Sequence, residues 1–144
     1  MQIVLLVILM LSGELSILRV VVVDDHELTR LTLQLTFSSQ ENIQVVGIAR
    51  NGKEAIEVVK YHHPDVIILD LQMPIMDGWN ASNHIKAISP QTQILAYSSV
   101  EDSYIQAEKS FYSFDDVCDK DIPATELIAL VRQMGQHSLE QRCA

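Results

Sequence analysis

The stretch DVIILDLQMPIMDGW, Asp65 to Trp79, decides the fold. Four apolar residues, Val66 to Leu69, run straight into the carboxylate of Asp70, and Met73-Pro74 and Asp77-Gly78 follow at once. A short, unbroken apolar run bounded by turn residues reads as a strand buried on both faces. An acid at such a strand end is commonly a turn residue or a helix cap. Why a buried strand should stop on a bare carboxylate is the question that the rest of the chain has to answer.

Outward from this stretch, strand and helix patterns alternate. ILRVVVVDD (17–25) is a β-branched run, followed by a leucine-rich stretch from Leu28 to Phe37. Within it LTLQLTF alternates like an exposed strand, yet a parallel βαβ crossover normally needs a helix there, and a helix is the reading adopted. IQVVGIA (43–49) is a short strand ending in the turn signal Arg50-Asn51-Gly52. KEAIEVVKYHH sets Ala55, Ile56 and Val59 on one helical face, and Pro64 stops it. Asp77-Gly78 opens a helix with Ala81, Ile85 and Ile88 on one face, ended by Ser89-Pro90. QILAY (93–97) is a fourth strand, EDSYIQAEKSF (101–111) a further helix and DVCD (116–119) a weak fifth strand. Pro123 begins a last helix whose Leu127, Val131 and Met134 share a face. Five βα units of this kind predict an α/β fold with a parallel sheet covered on both sides.

Composition bounds the function. With 144 residues, the chain is one ordinary domain, and 48% hydrophobic content argues for a packed core over disorder. The formal net charge of -9 and the scattered placement of ten Lys and Arg argue against direct binding to nucleic acid phosphates. Cys118 and Cys143 form no disulfide framework and have no metal-type spacing, in keeping with a reducing, cytoplasmic setting. The apolar run Ile3 to Leu11 is roughly half the ~20 residues that a membrane-spanning helix needs, and no Lys or Arg precedes Arg19 as a secretory signal would require. Residues 1–16 are therefore set apart as an apolar extension. It either packs on the domain or on a partner, associates weakly with a membrane, or reflects an upstream start codon. Of these the packed segment and the upstream start are preferred, and membrane association is not expected.

In an open parallel sheet, functional groups collect at the carboxyl ends of the strands. Those ends carry Asp24 and Asp25, then Asp70, then Ser98 and Ser99, then Lys120. Carboxylates brought that close raise one another's pKa and need a cation to coexist, and an oxygen-rich site with water suits Mg²⁺.

VVVDDHELTR, DVIILDLQMPIMDGW, ILAYSS and DKD together resemble the receiver domain of bacterial two-component response regulators. The likeness runs from about Ile17 to Gly135, and DDHELTR is similar to the subfamily whose members append a helix-turn-helix domain. The resemblance implies a flavodoxin-like (βα)5 fold, doubly wound, with strand order 2-1-3-4-5, over residues 17–137, with 138–144 as a tail. It implies that Asp70 accepts a phosphoryl group from a phosphohistidine, on a sensor histidine kinase or a phosphotransfer protein. Asp25, Asp70 and the backbone carbonyl of Gln72 would hold Mg²⁺, with Asp24 acting through metal-bound water. Ser98 and Lys120 would bind phosphoryl oxygens, and Pro74 and Gly78 would shape the loop. Output would follow from a conformational change that reaches a downstream protein or a second copy of the chain. Such a domain assists its own phosphorylation and dephosphorylation and is not otherwise an enzyme.

Two departures bear on this. Family members usually carry an aromatic residue three positions before the Lys, and here that position is Val117. Tyr112 and Phe114 stand where small residues are common. Val117 leaves open an alternative, an interaction module of the same fold with impaired or phosphorylation-independent switching. Asp119, next to Lys120, is expected to point away from the pocket by strand alternation. A phosphatase of the haloacid-dehalogenase type would need a second Asp two residues after the nucleophile, where this chain has Gln72. A flavin carrier would need a phosphate-cradling loop after the first strand, and none is present. His26 is read as a surface or capping residue and Trp79 as packing.

Overall fold

The computed structural model describes residues 2–11, 16–99 and 112–143, with backbone alone at 9, 10, 142 and 143. The helix expected over 101–111 lies outside the described residues. Five strands, β1 (Leu18–Val23), β2 (Ile43–Ala49), β3 (Val66–Asp70), β4 (Gln93–Ser98) and β5 (Asp116–Asp119), form one parallel sheet in the order β2-β1-β3-β4-β5. This is the flavodoxin-like arrangement expected from the sequence.

Strand alternation divides the core into two layers. Val21, Val23, Ile67, Leu69, Ile94 and Ala96 point to one face. There they meet Ala55 and Val59 of α3 (Gly52–His62) and Ala81 and Ile85 of α4 (Gly78–Ile88). Val20, Val22, Val66, Ile68 and Leu95 point to the other face. Leu33 and Phe37 of α2 (Glu27–Ser38) and Leu127, Val131 and Met134 of α5 (Ala124–Cys143) cover them. Because both faces are covered, β3 is buried along its whole length, which explains its unbroken apolar sequence. Each fully buried aliphatic side chain contributes about 1.5–3 kcal/mol.

The alternating segment of α2 is helical after all. Arg30, Leu33 and Phe37 are buried at helical spacing, while Leu28, Leu31 and Leu35 lie exposed on another face. Apolar residues on two faces of one helix are what imitate a strand. Ile88 lies on the same face of α4 as Ala81 and Ile85 but sits in the last turn, where it is 38% exposed.

The ends of the chain depart from simple expectation. Helix α1 (Gln2–Leu11) forms from the apolar run, and its described side chains are all exposed. No described helix is long and apolar enough to cross a membrane. At the other end, α5 continues through the residues set apart as a tail. Ser138 is fully buried there, donating from Oγ to the Gln91 carbonyl at 2.8 Å.

Candidate functional site

Strand order places the carboxyl ends of β1, β3, β4 and β5 side by side, and the side chains singled out in the sequence gather at that edge. Asp24 and Asp25 follow β1, Asp70 closes β3, Ser98 closes β4, and Lys120 follows β5. The Lys120 backbone N–H donates to the Ser98 carbonyl at 2.7 Å, which extends the β4–β5 ladder and fixes Lys120 at the mouth. The same ladder pairs Val117 with Ala96.

Lys120 bridges the two buried acids. Its Nζ lies 2.9 Å from Asp24 Oδ2 and 3.1 Å from Asp70 Oδ1, and it stands 5.7 Å over the Tyr97 ring. Asp24 is fully buried and Asp70 is 4% exposed. Burial alone would lower the Lys120 pKa, but the hydrogen bond to Asp24 and the charge of Asp70 outweigh it and raise it. Asp70 is pushed from 3.8 up to about 6, chiefly by burial and then by the charge of Asp24, against the pull of Lys120. One ammonium thus serves two carboxylates and leaves Asp70 Oδ2 buried with no hydrogen-bond partner. Orphaned buried oxygens are rare and expensive, and one within an acidic cluster fits the role of a cation ligand.

The donor set supports the same fit. Asp24, Asp25, His26 and Asp70 each offer an atom, all within 4.8 Å of one another, so oxygen donors and one nitrogen converge where a divalent cation could be held. His26 was missed as a member of this group by sequence reasoning. It takes the N-cap position of α2, yet its side chain makes no capping bond. Its Nδ1 instead lies 3.1 Å from Asp24 Oδ1 and 3.1 Å from Asp25 Oδ1. The only available signal was its place directly after the acidic pair. Arg30 was missed too: it is buried and donates from Nη1 to the Asp24 carbonyl at 2.8 Å, holding the strand end in place.

The loop after β3 is built to approach the site closely. Asp77 caps α4, accepting from the Asn80 N–H at 2.9 Å, and the Gly78 N–H donates to the Leu71 carbonyl at 2.9 Å. A Cβ at Gly78 would lie 2.1 Å from the Asp70 carbonyl oxygen, so only glycine lets α4 start against the strand that ends in Asp70. Between them, Ile75 has φ of 71°, and the Met76 N–H donates back to the Pro74 carbonyl at 2.8 Å. That closure is a strained γ-turn, unusual for a β-branched residue.

Not every expected residue is equally engaged. The Ser98 hydroxyl is buried and donates weakly to the Cys118 carbonyl at 3.4 Å. Gln72 is exposed and lines, with Trp79, Asn80 and Tyr112, a cleft of about 520 Å³ at the loop after β3. Asp119 is exposed and accepts from the Asp121 N–H at 2.9 Å. Tyr112 and Phe114 pack on Trp79, with ring centroids 4.7 and 5.5 Å away, and Val117 packs partly buried against the same cluster. The Cys118 thiol is pushed up to about 12 by burial and by the nearby Asp116 and Asp119, which leaves it unreactive.

Comparison with known proteins agrees with this geometry. Residues 20–132 match the family model described as response regulator receiver domain. The chain is 32% identical over 116 residues to the uncharacterized transcriptional regulatory protein YhcZ of Bacillus subtilis, covering 77% of this chain and 54% of that protein. It is 44% identical over 79 residues to the autoinducer 1 sensor kinase/phosphatase LuxN of Vibrio campbellii, covering 55% of this chain and 9% of that protein. Among solved structures, the response regulator domain of Thermotoga maritima CheB superposes with a TM-score of 0.76 at 32% identity, over 83% of this chain and 97% of that one. The signal receiver domain of the putative response regulator NarL from Mycobacterium tuberculosis gives 0.77 at 31%, over 84% and 98%. The chain spans between about a tenth and about half of the length of these two curated relatives.

Proposed function

This chain belongs to the response regulator receiver family, whose members are signalling domains, and from that premise we propose that it accepts a phosphoryl group on Asp70. The observation that carries the reading is the orphaned Asp70 Oδ2, buried and unpartnered beside a lysine that already neutralises its other oxygen. An Asp70 oxygen attacks the phosphorus of a phosphohistidine, the new O–P bond forms as the P–N bond breaks, and the donor imidazole leaves with the electron pair. Lys120, set between Asp24 and Asp70, holds one phosphoryl oxygen. Ser98 gives up its weak bond to Cys118 to donate to another. Asp24, Asp25, Asp70 and the Gln72 carbonyl would hold Mg²⁺, and what a bound divalent cation supplies there is neutralisation of charge on the transferring group.

The donor is a sensor histidine kinase or a phosphotransfer protein. The exposed leucines 28, 31 and 35 of α2 offer it an apolar docking stripe beside the acidic mouth. The domain is not otherwise an enzyme. It acts in the cytoplasm, and its output is a downstream protein or a second copy of the chain, without direct contact to nucleic acid or membrane. The DDHELTR opening and the likeness to a transcriptional regulator and to a NarL receiver support a place in the subfamily that carries a helix-turn-helix domain. The complete acidic set weighs against the alternative of an interaction module that no longer uses phosphorylation.

Amide spectra of the protein with Mg²⁺ and beryllofluoride, an acyl-phosphate mimic, test this. Shifts that vanish in Asp70→Asn and reach Val117 and α5 are expected. Identical spectra for the wild type and Asp70→Asn would sink the assignment.

A further inference from the structure

The ring of His26 is placed as a ligand is placed. Its side chain opens α2 without capping it, and Nδ1 stands at the same 3.1 Å from an oxygen of Asp24 and an oxygen of Asp25. One ring N–H aimed at two carboxylates satisfies neither in full. Two donors in adjacent positions about 2.1 Å from one cation stand about 3 Å apart, and opposite donors stand about 4.2 Å apart. The Nδ1 contacts match the adjacent spacing, and one ligand atom from each of the four residues lies within 4.8 Å of the others. Lys120 occupies Asp24 Oδ2 and Asp70 Oδ1, and the remaining oxygens, Asp24 Oδ1, which also accepts the His26 backbone N–H at 2.9 Å, Asp25 Oδ1 and Asp70 Oδ2, stand with the imidazole as the donors for a cation. The buried Asp70 Oδ2, which has no hydrogen-bond partner, is independent of His26 and points to the same kind of ligand.

We propose that His26 Nδ1 is a direct ligand of the divalent cation in this site, which therefore takes a first-row transition ion of the Mn²⁺ to Co²⁺ class ahead of Mg²⁺. The inference rests on the reading of the acidic site as a cation site and adds a ligand and a selectivity to it. Mg²⁺ prefers oxygen donors and keeps its water, whereas imidazole nitrogen favours the transition ions. The ring is 71% exposed, so ions reach it from bulk solvent and its removal leaves the core untouched.

The test is electron spin-echo modulation on the full chain loaded with Mn²⁺, beside calorimetric titrations with Co²⁺ and Mg²⁺, for wild type, His26→Phe and Asp70→Asn. Wild type should show modulation from a directly bound imidazole nitrogen, absent in His26→Phe. Co²⁺ affinity should fall in that variant by at least the roughly tenfold that loss of an outer-shell partner already causes, with Mg²⁺ affinity unchanged. Asp70-dependent Mn²⁺ binding without nitrogen modulation, or modulation that persists in His26→Phe, would overturn the ligand assignment and leave the acidic site standing. Absence of any Asp70-dependent binding would overturn both.

Discussion

Replacing Asp70 by Asn should stabilise the cation-free protein at neutral pH and leave its stability in acid unchanged. Burial, reinforced by the charge of Asp24, raises the Asp70 carboxyl from 3.8 to about 6 in the folded state. Below the lower value it is protonated in folded and unfolded chains alike and adds no pH dependence. Between the two values the unfolded chain ionises first, so the folded state binds more protons and stability falls as pH rises. Above about 6 the full cost is in place, and a displacement of about two pH units corresponds to about 3 kcal/mol. Asn keeps the size and removes the charge, but it gives up the 3.1 Å contact with Lys120, whose Nζ keeps Asp24 at 2.9 Å. The net gain should be about 1–2 kcal/mol, or roughly 3–8 °C in Tm for a domain of this size. Urea unfolding in chelator, near neutrality and near pH 4, measures it. Added Mg²⁺ or Mn²⁺ should stabilise the wild type and have little effect on the variant. A variant no more stable than wild type at neutral pH, or one whose advantage persists undiminished in acid, would refute the picture of a carboxylate held at a cost for a cation.

Lys120→Met removes the one cation that lowers the Asp70 pKa, so Asp70 should titrate above 6 and neutral-pH stability should drop by roughly 1–3 kcal/mol; carboxyl NMR and urea unfolding read the two effects. Gly78→Ala would force a Cβ to 2.1 Å from the Asp70 carbonyl oxygen, and a loss of about 2 kcal/mol or more is expected, with displaced amide signals at Asp70 and Leu71. Asp77→Ala removes the α4 cap and should cost about 1 kcal/mol without moving the Asp70 titration; if that titration does move, the cap and the site are coupled.

The fold was legible because the physics that builds it acts locally. A strand covered on both faces must be apolar throughout, and Val66 to Leu69 says so without reference to any other part of the chain. The helix over 27–38 was harder to read: its exposed Leu28, Leu31 and Leu35 carry no burial, so they disguise the spacing of Leu33 and Phe37. Only the need for a crossover between parallel strands recovers it. From its sequence neighbours Asp65 is no more than the residue before that apolar run. In fact it is a fully buried acid at the opposite sheet edge, where Oδ2 accepts from the Arg19 N–H at 2.8 Å and Oδ1 lies 3.5 Å from Ser138 Oγ. Partners 46 and 73 residues away leave no local trace.

The site divides along the same line. Asp24, Asp25, Asp70, Ser98 and Lys120 could be picked out because each ends a strand or follows one within two residues, and a parallel sheet puts its strand ends on one edge. What that rule cannot give is the direction of a side chain once the strand has ended. His26 lies beyond the last residue of β1, at a helix start, where the common fate of a polar residue is to cap. Its ring turns back because Asp24, fully buried, already receives the His26 N–H at 2.9 Å, and that bond fixes the backbone so that Nδ1 falls between the two acids. The acid that forces this turn is the one that helps to raise Asp70. A single buried carboxylate therefore adds to the cost of ionising Asp70 and sets the position of the nitrogen that would relieve that cost through a shared cation.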